Sequence, residues 1–571
     1  MKNARLIMVL VLVLVCFASA QAAPKGTLKA LAKTTAYSKL PVPKKGGTFY
    51  DRTKINPITL NPILVTNLDD RPLASLLFMS LLSRDPETYE HVPALAESVE
   101  TSKDKKEYTF KLRADAKWTD GTAVTADDVL FTFQKIMDPK VEAAAIRSFL
   151  GGVTAEKVDE LRIKFKVETP KFNSLDFIAG LQPIQKKQFE NEKDFNKSKE
   201  NLKPIGNTGY RFKSLSRDQN VMFEYVPGWW GEKEPEYRAT QNFSTYQFRV
   251  IPDETLAYER MLKGELDVME VAADKFATQV RGVDKDRVGT KPNSGKTVWA
   301  DQFRSDGSFP WFGMGLNYNN PIFTKATRQA LAYLTDYDTI IKKAFFGLPD
   351  QCLIPFGSTS RNLHPSLKDK KNQYRFDMKK GLALLKADGW ADTDGDNVLD
   401  KVINGKKTPF QFTFKYSASS NPAASTAQIL KETYKKAGIQ FDVRAVEGAA
   451  LYKDFEERQY DAVFMGWGGG SIYPDPRQIW HSQSISGGGS NTVGYANPKV
   501  DQLIDQANLE FDPKKRTKLL QEIGKILYED LPYLFLVERH YSLEVLNSRI
   551  KSPKWMFRYG TSVARDLFYA E

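Results

Sequence analysis

FQFTFKYS, residues 410–417, opens the stretch whose reading decides the fold. Phe410, Phe412, Phe414 and Tyr416 alternate with Gln411, Thr413 and Lys415, the period-two pattern of a half-buried strand. Ala423 to Lys436 then reads as a helix closed by Gly438. Ile439, Phe441 and Val443 alternate again, and Leu451 to Arg458 reads as a second, shorter helix. Ala462-Val463-Phe464-Met465 is continuously apolar, as in a strand covered on both faces. Strand, helix, strand, helix, strand predicts a parallel sheet with right-handed crossovers, and therefore an α/β fold.

Such a sheet predicts its own binding edge, because ligands of open α/β sheets lie beyond the carboxyl ends of the strands. The loops there are 417–421, 447–449 and 466–476. The last is the most distinctive. Gly468, Gly469 and Gly470 carry no side chain to block an approaching backbone, and Trp467 and Tyr473 offer flat apolar surface with polar edges. With Tyr416 and Asp475 they form a candidate site for an extended ligand held by its main chain. The plainer alternative is a Gly-rich turn over core aromatics.

Outward from this stretch, the chain has 571 residues, room for three or four domain-sized units. Lys2 and Arg5, the apolar run Leu6 to Ala18, and small residues at Ala18, Ala20 and Ala22 predict a secretory signal peptide over 1–22. The run is too short to span a bilayer. Val15 before Cys16 argues against a lipid-attachment box, so a cleaved periplasmic protein is expected. Removal of the signal would leave Cys352 as the one cysteine, hence no intramolecular disulfide. Residues 23–45, with six lysines and Pro41-Val42-Pro43, read as a flexible leader, with order beginning at Gly46-Gly47-Thr48-Phe49. Net charge is +12, but the lysines fall in scattered pairs such as Lys342-Lys343 and Lys435-Lys436. That pattern suits solvated helix faces and not a nucleic-acid stripe. Near the amino-terminal end, Tyr108, Phe110 and Leu112 predict a strand and Asp120-Gly121 a turn. Thr125 with Asp128 forms a capping box before a helix that buries Val129, Leu130, Phe133 and Ile136.

Seven motifs in order resemble family 5 of the bacterial extracellular solute-binding proteins, which includes oligopeptide-, dipeptide- and nickel-binding proteins. They are Thr59-Leu-Asn-Pro62; Tyr108 to Arg113 with Trp118-Thr-Asp-Gly121 and Thr125 to Val129; Pro204 to Tyr210; Gly264-Glu-Leu-Asp267; Thr327 to Leu331; Tyr460-Asp461 to Trp467; and Asn491 to Asp501. The resemblance implies a two-lobed periplasmic-binding-protein fold of type II with an extra subdomain in lobe I. Lobe I would span 46–316, with the subdomain at about 76–203, and return at 539–571. Lobe II would span 317–538, with crossings near Leu316-Asn317 and Arg539-His540. It further implies capture of a peptide or peptide-like ligand for the permease subunits of an ABC importer, by a monomer that is not an enzyme. Main-chain pairing is expected at Gly468 to Gly470 and, from lobe I, at Val65, Thr66 and Asn67. One departure matters: peptide binders of the family usually carry an aspartate three residues after the tryptophan, to pair with the ligand's free amino group. Here that position is Gly470.

Other readings stay open at this point: a binder of murein-derived or modified peptides, a nickel- or haem-type binder, a periplasmic chaperone-like module, or a secreted hydrolase. Only four histidines occur and none has ligand spacing; His481 lies nearest the predicted site. No cofactor is expected beyond a candidate structural calcium at Asp392, Asp394, Asp396 and Asp400. These occupy positions 1, 3, 5 and 9 of a calcium loop whose twelfth position is Ile403, not glutamate.

Overall fold

The computed structural model describes residues 27–29, 37–67, 69–85, 88, 90–277, 298–304, 310–468, 474–486, 489–539, 541–547, 549–551 and 568–570. The signal-peptide segment lies outside these residues.

The 410–467 stretch forms the centre of lobe II. Strand Gln411–Ser417 pairs in parallel with Gln440–Val446 on one side and Ala462–Trp467 on the other. Between them run helices Asn421–Lys436 and Gly448–Glu456. The first helix buries Ala423, Thr426, Ala427, Leu430 and Tyr434, one stripe at helical spacing, against Phe412 and Phe441. It ends at Gly438, whose φ of +73° a side chain would strain. Strand Gln411–Ser417 shares only two register positions with Ala462–Trp467, and Asp461 bridges the gap. Its carboxylate accepts from the Thr413 N–H at 3.0 Å and from Asn320 Nδ2 at 2.9 Å. This is the local reason for Tyr460-Asp461 before the apolar run.

The sheet does not stop at three parallel strands. Trp311–Leu316 joins Ala462–Trp467 antiparallel, and Tyr533–Glu538 joins Trp311–Leu316. Asp350–Gln351 completes a mixed, six-stranded sheet. Every residue of Tyr533–Glu538 is buried, as expected for a strand between two others with both faces covered.

In lobe I, strands Thr48–Thr53, Thr245–Val250, Asn220–Tyr225 and Tyr210–Ser216 form a four-stranded sheet in that order. A separate sheet runs Thr27–Lys29, Ala96–Thr101, Glu107–Leu112, Arg162–Val167, Val153–Lys157, crossed by helix Ala126–Met137. Tyr108, Phe110 and Leu112 are the buried face predicted for it. The capping box forms: Asp128 Oδ2 accepts from the Thr125 N–H at 2.9 Å. The same carboxyl also accepts from Trp118 Nε1 at 3.2 Å and, through Oδ1, from the Lys186 N–H at 2.8 Å. One buried group therefore joins both halves of the Trp118 and Thr125 motifs. Thr27–Lys29 corrects the reading of 23–45 as wholly flexible, because it pairs with the otherwise open edge of Ala96–Thr101. A three-stranded sheet, Val268–Glu270, Tyr541–Asn547, Val298–Arg304, brings the chain's return back into lobe I. Fully buried Asp267 anchors it, accepting from the Tyr50 N–H at 2.7 Å and from Arg549 Nε at 2.8 Å.

The crossings differ from expectation in one respect. Trp311–Leu316 already belongs to the lobe II sheet, so the first crossing lies between Arg304 and Trp311, upstream of Leu316-Asn317. The second is between Glu538 and Tyr541, at Arg539-His540. Their described flanks are paired: Arg304 faces Tyr541 on one side, Trp311 faces Glu538 on the other, and the Arg539 N–H donates to Pro310 C=O at 2.7 Å.

Glu538 closes the lobe II end of this hinge at 1% exposure. Its carboxyl accepts from the Ser358 N–H at 2.9 Å and Ser358 Oγ at 2.8 Å. Burial outweighs these bonds and pushes its pKa from 4.5 up to about 7, with Asp350 adding repulsion. The folded state thus holds a proton that the unfolded chain releases, so stability falls as pH rises from about 4.5 to about 7. Glu538→Gln removes that dependence. Its stability relative to wild type, from denaturant unfolding at several pH values, should rise across this window by up to roughly 3 kcal/mol and then level off. A difference that stays constant with pH would contradict the assignment.

Candidate functional site: the carboxyl edge of the lobe II sheet

The three parallel strands end at Ser417, Val446 and Trp467. Trp467 pairs with Trp311, and Trp311 pairs with Glu538, so this edge continues directly into both crossings. The predicted binding edge and the hinge are one line across the sheet. Lobe I is tethered at the edge where the candidate binding loops emerge.

Trp467 is held in place. Its Nε1 donates to the Tyr533 hydroxyl at 3.2 Å and its ring packs on Phe455 at 6.0 Å, leaving it half-buried. Tyr416 is also half-buried and stacks on Phe414. Just beyond Trp467, a Cβ added at Gly468 would meet nothing within 4 Å. Gly469, Gly470 and Tyr473 lie outside the described residues. Asp475 is exposed, and its carboxylate accepts from the Arg477 N–H at 3.0 Å at the start of a short helical turn.

On the lobe I side, Val65 is half-buried and Thr66 exposed. Asn67 is committed to local structure. Its Oδ1 accepts from the Asp70 N–H at 2.7 Å and its Nδ2 donates to Asp70 Oδ2 at 2.8 Å. Two residues further on, Asp69 lines a cavity of about 350 Å³ with Asp51, Arg52, Lys54, Glu270 and Arg539. Arg539 pairs with Glu270 across 3.6 Å. The structure therefore joins Tyr416 and Trp467 along one edge. The 65–67 loop lies instead just before Asp69 of a charged cavity that reaches Arg539 at the hinge, and no predicted site residue lines that cavity. Sequence reasoning named Arg539 only as a crossing and did not single out Glu538 or Glu270. The one signal for Glu538 was a pair of charged residues ending the apolar run Tyr533 to Val537.

The other chemistries find little support among the described residues. His481 is buried, its Nδ1 accepts from the Gln483 N–H at 3.1 Å, and burial lowers its pKa, all features of a capping side chain. Cys352 is buried, and burial pushes its thiol well above the usual range, the reverse of a nucleophile. Ser358 does donate to a carboxylate, but its Oγ also accepts from the Leu353 N–H at 2.6 Å and both partners are buried. In the acidic turn, carboxylate oxygens of Asp392, Asp394 and Asp400 lie within 4.8 Å of one another. Asp396 stands apart from them, accepting from the Val398 N–H at 2.8 Å. Lys407 Nζ reaches Asp394 at 2.7 Å and Asp400 at 3.3 Å, so a cation of the chain's own already pairs with two of the three. No helix of the described residues is long and apolar enough to cross a membrane.

Known proteins share this architecture. The oligopeptide-binding protein AppA of Bacillus subtilis is 28% identical over all of this chain and 98% of its own length. The dipeptide-binding protein of Escherichia coli is 26% identical over 84% of this chain and 87% of its own. The solved structure of AppA from B. subtilis in complex with a nonapeptide superposes with a TM-score of 0.69 at 25% identity, covering 93% of this chain and all of that one. The fold is shared too with the unliganded open form of the periplasmic murein tripeptide-binding protein MppA, at a TM-score of 0.70, 20% identity, and coverage of 96% and 99%. The sequence profile of bacterial extracellular solute-binding proteins, family 5 (middle region), matches residues 90–491. With fold, hinge and matched span in agreement, this chain belongs to the family 5 bacterial extracellular solute-binding proteins.

Proposed function

We propose that the chain captures peptides or peptide-like solutes between its lobes and delivers them to the permease subunits of an ABC importer. One observation carries the reading: the strand edge that opens at Gly468 is the edge from which both crossings leave. Rotation about the crossings would bring lobe I down on whatever lies along that edge. A strand end free of side chains reads a ligand's main chain, as in strand addition, and leaves its side chains in roomy, hydrated surroundings. The names of the relatives point to the same ligand class. On this reading the protein works as a periplasmic monomer after signal cleavage and performs no catalysis.

Gly470 stands where an aspartate would pair with the ligand's amino group, and the Asp475 carboxylate is engaged by its own backbone. The free amino group should therefore matter little. Calorimetry with a binding pentapeptide and its N-acetylated form tests this, since losing a charge-assisted pair costs roughly 1.5–3 kcal/mol, or about ten- to a hundredfold in affinity. A change below about threefold is expected. A hundredfold loss would show that another carboxylate anchors the ligand.

For the acidic turn we infer that Lys407, and not calcium, balances its charge. Wild type should melt at the same temperature in calcium and in chelator, whereas Lys407→Met should become calcium-stabilised. Calcium stabilisation of wild type would overturn this.

A further inference from the structure

The lobes touch through elements that take no part in either crossing. In lobe I, Phe172 sits just ahead of helix Ser174–Ala179. Its turn is fixed by Lys171 N–H donating to Ser174 Oγ at 2.8 Å and Ser174 N–H donating to Lys171 C=O at 3.0 Å. In lobe II, Asn508 lies in the last turn of helix Pro498–Leu509, and Arg516 in the first turns of helix Pro513–Asp530. The Phe172 N–H donates to Asn508 C=O at 3.0 Å, and the Arg516 guanidinium lies 3.8 Å from the Phe172 ring centroid. The final carbonyls of a helix have no partner within it, so a donor from the other lobe completes this end. The cation–ring contact adds an attraction that strengthens out of water, and Arg516 is only 6% exposed.

The same junction holds groups that oppose it. Asn508 is 3% exposed, and neither its Oδ1 nor its Nδ2 has a hydrogen-bond partner among the described residues. Asn173 is 7% exposed, and its Oδ1 is likewise unpartnered. Polar atoms buried without partners favour whichever state returns them to water. Attraction and penalty therefore sit in one contact and pull in opposite directions.

We propose that Phe172, Asn508 and Arg516 form an inter-lobe clasp that engages when the lobes close, and that the buried amides of Asn508 and Asn173 keep it weak enough to release. Wholly buried hydrocarbon at position 508 would make a stronger contact. The amide retains the hydrogen bond through its backbone while penalising closure through its side chain. A clasp so balanced cannot hold the lobes shut alone, but adds to any ligand that bridges them. The inference rests on the two-lobed architecture and not on the identity of the ligand.

The test uses the full chain without ligand, so its failure is distinct from failure of the peptide reading. Deuterium uptake at the Phe172 amide reports the clasp, and small-angle scattering reports lobe separation. Asn508→Leu should slow exchange at Phe172 by about tenfold, as removal of a buried unsatisfied amide implies, and reduce the radius of gyration. Arg516→Ala should accelerate exchange by a similar factor and increase the radius. Phe172→Ala, at a half-buried surface position, should increase the radius too, and gives the reading should Arg516→Ala fail to fold. Asn508→Ala serves in the same way for Asn508→Leu. Opposite shifts from the two groups of variants support the clasp. Unchanged exchange and radius, or shifts in the same direction, would overturn it.

Discussion

The hydrogen bond from the Arg539 N–H to Pro310 C=O holds the two crossings side by side, and the rest of the architecture depends on that pairing. Two crossings far apart on a sheet would fix one lobe against the other. Two adjacent crossings, in register with each other on both sides, leave an axis along which the lobes can turn as units. Because Trp311 is paired with Trp467, the axis runs along the carboxyl edge of the parallel strands. Topology alone thus places the candidate binding loops beside the crossings to lobe I. Near the axis, Leu348 of lobe II is seated in a lobe I cluster with Ile251, Met261 and Leu543, which gives the pivot an apolar bearing.

The parts of this arrangement legible in the sequence were those whose pattern is local. Residues 410–443 alternate with clean periods and 462–465 are continuously apolar, so strands, helices and parallel order followed directly. The capping box at Thr125 and Asp128 was legible for the same reason. The antiparallel half of the lobe II sheet was not. Trp311–Leu316 and Tyr533–Glu538 meet across more than two hundred residues, and a strand buried on both faces has no period to announce its neighbours. The resemblance placed the first crossing at Leu316-Asn317, and the strand before it carried no mark of belonging to lobe II to correct that. Thr27–Lys29 was hidden in a lysine-rich leader because an edge strand draws its stability from the sheet it joins and not from its own composition.

The site divides along the same line. Trp467 and Tyr416 stand at strand ends, where the pattern placed them. Asn67 and Asp475 were read as ligand contacts, yet both carry short-range hydrogen bonds of the kind asparagine and aspartate make at turns and helix starts. Residue type alone does not separate the two roles. Glu538 is the opposite case. A glutamate after an apolar run would ordinarily mark the point where a strand reaches water, but the Ser358 loop covers it and supplies its donors. Its pKa is raised by burial, against the hydrogen bonds from Ser358, 180 residues away in sequence.

On the proposed function, this edge and hinge retain a ligand by its peptide main chain. Native mass spectrometry of protein purified from its own periplasm, followed by release and sequencing of the retained mass, tests it most directly. The expected result is a set of peptides varied in side chain and bounded in length, since main-chain pairing fixes the backbone and leaves the side chains free. A single metal chelate, a haem, or a non-peptide solute in their place would contradict the claim.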